Sequence, residues 1–239
     1  MKALILNSGL GHRMGDITKE HPKCMTDISS TDTILSRQLR LLTRAGIKKV
    51  VITTGYFDSV LINYCKTLSF PLEYTFIKNP IYRETNYIYS IYCARKELLD
   101  DDILLMHGDL VFDFSVLDDI IKNENSCMKV SSTLPLPDKD FKAVVKDGYV
   151  KAVGIEYFDS AMEAQALYKL KIEDWKIWLD KICEFCENNN RKCYAEVALN
   201  QITDKCYIEA YDVYDRLCSE VDTIKDLLLV KEKVAQIEP

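Results

Sequence analysis

The chain has 239 residues, enough for one large α/β domain or two small ones. Its 48% hydrophobic and 28% charged residues are the balance of an ordinary globular protein. The net charge of −6 excludes the basic field of a general nucleic-acid binder but not a nucleotide, for which a few local cations suffice.

No apolar run reaches the ~18–20 residues that span a bilayer. Met1–Leu6 begins like a signal peptide, but its apolar stretch stops at Asn7-Ser8-Gly9, short of the ~7–15 residues such a segment needs. Ala3–Leu6 therefore reads as a buried strand. Ile34–Arg44 has helical spacing closed by Gly46, Val50–Thr53 is a β-branched run ending at Gly55, and Ser59–Leu68 is a second helix. Leu72–Ile77 alternates as a strand, Tyr87–Leu99 is a third helix, and Ile103–Met106 is a strand followed by the turn His107-Gly108-Asp109. Four strands joined by helices imply an α/β fold: a Rossmann-like, mostly parallel sheet flanked by helices.

Beyond residue 126 the pattern changes. Met128–Leu134 and Ala143–Ala152 read as strands, the latter turning at Asp147-Gly148. Helices are expected over Ile172–Asn188 and Tyr194–Ile202, a short strand near Tyr207–Tyr211, and a last helix from Thr223 to about Val234. We expect one domain over 1–239: a nucleotide-binding core at 1–125, a small hairpin and helical insertion at 126–210 forming a lid or acceptor wall, and a return to the core at 211–239. The odd count of nine cysteines fits reduced thiols and a cytoplasmic location better than a disulfide framework. Cys183, Cys186 and Cys193 lie in or beside a helical pattern with no His to complete a zinc set.

The first loop carries the strongest chemical signal: Leu6-Asn7-Ser8-Gly9-Leu10-Gly11-His12-Arg13-Met14, then Pro22-Lys23. Two glycines after a buried strand let backbone N–H groups approach a phosphate, and Arg13 and Lys23 bring positive charge. The dinucleotide fingerprint fits worse, because its third glycine would fall on Met14 and no acidic residue ends the second strand. The P-loop fails for want of Gly-Lys-Ser/Thr.

The complete spacing, with Gly9, Gly11, Arg13, Met14, Pro22 and Lys23, resembles the signature of the sugar-phosphate and phosphocholine nucleotidyltransferases, the MobA-like NTP transferase superfamily. Ser8 departs from it, since that family more often has Ala there. Asn79-Pro80, Glu84-Thr85-Asn86 and Ser90 look like the base- and ribose-contacting segment of the choline-phosphate cytidylyltransferase branch. Gly108-Asp109 and Glu220-Val221-Asp222 resemble the two metal motifs. The resemblance implies a GT-A-like fold and Mg²⁺ held by Asp109 and Asp222. It places nucleotide contacts at Leu6, Asn7, Ser8, Gly9, Gly11, Arg13, Lys23, Thr85, Asn86 and Ser90. Lys23 would hold the α-phosphate, and Arg13 the β- and γ-phosphates. Each carboxylate also has a plainer reading: Asp109 closing a turn, Asp222 capping the helix that follows.

The implied reaction is transfer of CMP from CTP to a small phosphorylated or phosphonylated acceptor. Phosphoryl transfer is limited by charge repulsion and alignment, so cations and hard carboxylates on a metal are the groups it requires. Tyr157 stands where related enzymes often place an acceptor-binding Lys, with Lys142, Lys151 and Lys169 as substitutes. This weakens a hexose 1-phosphate assignment, in which UTP or dTTP would be the donor. Tyr168, Lys169, Tyr194 and Glu196 are the expected acceptor contacts, an aromatic and acidic set suited to an ammonium. The competing class is a catalytically silent nucleotide-binding regulator. The sequence leaves the oligomeric state open, a homo-oligomer included.

Overall fold

The computed structural model describes residues 1–9 and 11–237. The first half lays down β1 (Lys2–Asn7), α1 (Ile34–Arg44), β2 (Lys49–Thr54), α2 (Asp58–Thr67), β3 (Glu73–Lys78), α3 (Tyr87–Ala94), β4 (Ile103–His107), β5 (Leu110–Phe112) and α4 (Phe114–Lys122). The second half adds β6 (Cys127–Ser131), β7 (Lys142–Lys146), β8 (Tyr149–Gly154), β9 (Ala161–Leu170), α5 (Ile172–Glu187), α6 (Ala195–Leu199), β10 (Glu209–Asp212), β11 (Cys218–Glu220) and α7 (Ile224–Ile237).

Nine strands form one sheet in the order β3-β2-β1-β4-β9-β6-β10-β8-β7. The first four are parallel, as the alternation of strands and helices requires. β9 then runs antiparallel to both β4 and β6, so the sheet as a whole is mixed. The segment expected as a small insertion over 126–210 supplies β6 to β10 of this sheet, and β9 is the strand missing from the sequence reading.

The core follows from the two-residue period of a strand. In β1, Leu4 and Leu6 face α3 and α5, joining Ile88, Trp175 and Trp178. Ala3 and Ile5 face the other way, joining Leu35, Leu39 and Val116 of α1 and α4. The two indoles find acceptors in the Leu98 and Ala195 carbonyls, at 2.8 and 3.0 Å, so burying them leaves no N–H unpaired. Lys129 on β6 meets Glu163 on β9 as a buried charge pair. All nine cysteines are free thiols, and Cys183, Cys186 and Cys193 form no metal-ligand group among the described residues. Among the described residues, no helix is long and apolar enough to cross a membrane.

Candidate active site

The carboxyl ends of β1 and β4 lie side by side, with Leu6 paired to His107, and the cleft opens beyond them. From β1 the chain enters a loop in which Gly11 has φ +67°, a left-handed conformation costly for any side chain. A Cβ there would lie 3.2 Å from Lys23 Cβ, so the glycine also lets the loop close onto Lys23. Pro22 starts a short helical turn, with Met25 N donating to Pro22 O at 2.9 Å. Leu10 lies outside the described residues.

The second carboxylate arrives from the far end of the chain. β11 pairs antiparallel with β5, and Val221 N donates to Asp109 O at 3.0 Å, which brings Asp109 and Asp222 together. Asp222 does not cap the last helix. The Asp226 carboxylate accepts from Asp222 N and Thr223 N instead, at 3.2 and 2.7 Å, leaving Asp222 for the cleft. Lys23 Nζ bridges both carboxylates, 2.6 Å from Asp222 Oδ1, and Arg13 reaches Asp222 Oδ2 at 2.8 Å. Burial opposes the Lys23 charge, but Asp109 and Asp222 outweigh it and raise its pKa above that of an ordinary lysine. Burial likewise pushes Asp109 up, yet Lys23 and His107 hold it below the usual carboxylate range.

Three connected spaces make up the cleft. The first, about 370 Å³, brings together Leu6, Asn7, Gly9, Gly11, Arg13, Lys23, Asp109 and Asp222, which the sequence had singled out, and adds Cys24. The second, about 180 Å³, gathers Ser8, Asn79, Thr85, Asn86 and Ser90, and adds Tyr82 and Tyr87. Asn79 is its organiser: Nδ2 donates to Thr85 Oγ1 and Ser90 Oγ at 3.0 and 3.1 Å, and Oδ1 accepts from Ile81 N at 3.0 Å. The Asn86 side chain accepts from Tyr87 N at 2.7 Å and starts α3.

The third space, about 190 Å³, lies across the carboxylates and differs from the sequence expectation. Its walls are Tyr87, Phe141 and Tyr194, with rings 5.8 Å apart for Tyr87–Tyr194 and 5.1 Å for Phe141–Tyr194. Lys139, Asp140, Glu220 and Arg13 complete it. Of the four expected acceptor contacts only Tyr194 is there. Tyr168 is fully buried on the central strand β9, edge-on to Trp178 at 5.3 Å. Lys169, next on that strand, is buried and donates to the Asn123 carbonyl. Glu196 is 1% exposed and accepts the hydroxyls of Tyr87 and Tyr168, the latter at 3.0 Å. It braces the wall without lining it. The substitute lysines are also engaged elsewhere: Lys142 donates to the Pro137 carbonyl at 2.5 Å, and Lys151 lies over the Tyr149 ring.

Two residues were not anticipated as site residues: His107 lines both the second and third spaces, and Glu220 lines the third. Glu220 Oε1 is 2.7 Å from His107 Nδ1. Burial opposes the imidazolium, but the Glu220 hydrogen bond and charge raise its pKa to about 9. Glu220 itself is raised by burial and by Asp109. The signal for Glu220 was its place two residues before Asp222, on the same face of an extended segment.

A divalent cation fits the donors present. Asp109 and Asp222 converge on a single ammonium, they offer hard oxygens, and Asp109 Oδ1 is buried without a hydrogen-bond partner.

A model of the MobA-like NTP transferase domain matches residues 3–130, more than half of the chain. The chain belongs to this family. The matched stretch ends with β6, so it contains the glycine loop, the Asn79–Ser90 segment and Asp109, but not Asp222. Among curated relatives, the CTP:phosphoglutamine cytidylyltransferase of Campylobacter jejuni is 32% identical over 117 residues, 47% of this chain and 45% of its own. The choline-phosphate cytidylyltransferase of Haemophilus influenzae is 38% identical over 110 residues, 44% of this chain and 45% of its own. The matched stretch thus spans less than half the length of these relatives. The structure of CTP:phosphocholine cytidylyltransferase from Streptococcus pneumoniae superposes with a TM-score of 0.77 at 17% identity, covering 97% of each chain, which identifies the nucleotidyltransferase fold.

Proposed function

We propose that this MobA-like NTP transferase moves CMP from CTP onto a small acceptor that carries phosphate or phosphonate at one end and an amine or quaternary ammonium at the other. The carrying observation is the third space. Three aromatic rings and the carboxylates of Asp140 and Glu220 surround it, beside the Asp109–Asp222 pair. A desolvated cation against aromatic faces gains on the order of 2 kcal/mol, and the nearby carboxylates add to this. Relatives named for CTP and for phosphocholine or phosphoglutamine support the same donor and acceptor classes.

In this reading an acceptor oxygen forms a bond to the α-phosphorus of CTP, the bond from that phosphorus to the bridging oxygen breaks, and pyrophosphate leaves. The acceptor phosphate is already ionised, so no base is required of the protein. Asp109 and Asp222 would hold Mg²⁺, which reduces the repulsion between two anionic reactants when bound. Lys23, on its flexible stem, moves its ammonium from the two carboxylates to the α-phosphate, where negative charge grows. Arg13 lines both the first and third spaces, where it meets the β- and γ-phosphates and the departing pyrophosphate. Ser8, Thr85, Asn86 and Ser90 enclose base and ribose. Lys139, at the rim of the third space, serves the acceptor anion in place of the lysines first considered.

A panel of CTP, UTP, dTTP, ATP and GTP against phosphocholine, phosphoethanolamine, 2-aminoethylphosphonate and glucose 1-phosphate, read by pyrophosphate release with Mg²⁺, tests the proposal. CTP with an amine-bearing acceptor should give the highest kcat/KM. Preference for glucose 1-phosphate with UTP or dTTP would replace it by the sugar reading. Nucleotide binding without pyrophosphate release across the whole panel would favour a silent regulator.

A further inference from the structure

Where β1 and β4 end, buried side-chain atoms without hydrogen-bond partners gather: Asn7 Nδ2, Ser8 Oγ, His107 Nε2 and Asp109 Oδ1. Leaving a buried polar atom unpaired is costly, and a folded chain ordinarily avoids it. Their residues line one cleft, which marks these atoms as groups that a bound ligand completes. Asp109 already has a place in the metal reading and Ser8 in the base pocket. Asn7 has so far been no more than part of the phosphate loop.

Its side chain is positioned by packing. A Cβ on Gly108 would lie 1.7 Å from Asn7 Oδ1, 2.3 Å from Cγ and 2.7 Å from Nδ2, so the whole amide rests against the Gly108 backbone. That contact explains why glycine precedes Asp109. The backbone on both sides is pinned as well: Asn7 N donates to Thr53 Oγ1 at 3.2 Å, and Gly108 N to Leu6 O at 3.0 Å. The amide therefore sits on a strand end, one residue from the carboxylate of Asp109, and lines the same space as Lys23 and Asp222. A donor fixed before the reaction needs no reorganisation as charge develops, which is where a neutral hydrogen bond contributes most.

We propose that Asn7 is a catalytic residue whose side-chain N–H donates to a non-bridging oxygen of the α-phosphoryl group while that group is transferred. The inference rests on the nucleotidyl-transfer reading above. No proton changes hands at Asn7; the bonds made and broken remain those of the acceptor oxygen and the departing pyrophosphate. Lys23 and Arg13 are full charges that hold the triphosphate before and during the reaction. The amide is uncharged, so it adds little to ground-state binding and acts mainly where the oxygens gain charge.

The test uses Asn7→Ala and Asn7→Asp in the full chain, with CTP, Mg²⁺ and the best acceptor from the panel. Turnover is read by pyrophosphate release, CTP affinity by calorimetry without acceptor, and folding by thermal melting. Asn7→Ala should lower kcat by about 100-fold while the Kd for CTP moves by less than about threefold and melting stays near wild type. Asn7→Asp keeps the shape, carries no N–H, and should lose at least as much kcat. It bears the test alone if the alanine variant does not fold. Turnover of either variant within about threefold of wild type would overturn the proposal, as would parallel losses of affinity, kcat and melting temperature, which mean a structural role. Failure of the wild type to release pyrophosphate with any pair would instead strike the underlying reading, so the two failures are distinct.

Discussion

Glu196→Gln separates a carboxylate that touches the acceptor from one that braces the wall behind it. Glu196 is 1% exposed and receives hydroxyl hydrogens from Tyr87 and Tyr168. Glutamine preserves the shape but offers one acceptor oxygen where the carboxylate has two, and its NH₂ faces a phenol that must turn its own hydrogen away. One charge-assisted hydrogen bond is lost and the other weakened. At ~1.5–3 kcal/mol for a hydrogen bond to a charged group, stability should fall by about 2–3 kcal/mol. For a chain of this size that lowers Tm by about 5–10 °C. Tyr87 loses its anchor, so the acceptor KM should rise several-fold, by similar factors for phosphocholine and for an uncharged isostere of the same shape. Tyr194→Leu makes the contrast: it removes a ring from the wall itself and should penalise the charged acceptor about tenfold more than the isostere. The assays are thermal melting and steady-state pyrophosphate release with the two matched acceptors. A selective loss for the charged acceptor in Glu196→Gln, with unchanged Tm, would refute the reasoning and put Glu196 in direct contact with the cation.

Asp109→Asn and Asp222→Asn should each reduce kcat by at least about 100-fold while leaving melting intact, because each removes a charge that holds Mg²⁺ against phosphates; near-normal turnover with unchanged Mg²⁺ dependence removes that residue from the metal site. Lys23→Ala should lower kcat more than it raises the KM for CTP, since its contact strengthens as charge develops on the α-phosphate; a pure KM effect makes it a ground-state binding residue. Burial pushes the thiols of Cys65, Cys127, Cys186, Cys206 and Cys218 up to about 12. Burial raises Cys93, Cys183 and Cys193 as well, but they are half-buried and reachable, so a thiol reagent at pH 8 should label these three first, and all nine after denaturation; prompt labelling of most thiols in the native protein contradicts the packing.

The first space of the cleft was legible because its lining is nearly contiguous: Leu6 through Cys24 carry it within one stretch, and Asp109 and Asp222 come from elsewhere. The third space, where we propose the acceptor binds, draws on Tyr87, Asp140-Phe141, Tyr194 and Glu220, four separate stretches joined only by the fold. β9 escaped notice for a related reason. Ala161–Leu170 carries Glu163, Gln165 and Lys169 among its apolar residues, so it reads neither as an apolar run nor as clean alternation. Those polar groups are buried on a central strand because each finds a partner: Lys129 for Glu163, Glu163 for Gln165, and the Asn123 carbonyl for Lys169. Placing that segment outside the sheet put Tyr168 and Lys169 at the acceptor, whereas both point into the interior. β5 and β11, three residues each, pair Phe112 with Cys218 across the length of the chain. No local pattern signals such a pairing, yet it brings the carboxylates of Asp109 and Asp222 together.

The most direct test of the account is a single competition. The protein is incubated with Mg²⁺, equal concentrations of CTP, UTP and dTTP, and equal concentrations of phosphocholine, 2-aminoethylphosphonate and glucose 1-phosphate, and the products are identified by mass spectrometry. The account predicts pyrophosphate and a CMP adduct of an amine-bearing acceptor as the dominant product. Formation of UDP-glucose or dTDP-glucose in preference, or no nucleotidyl adduct at all, would contradict it.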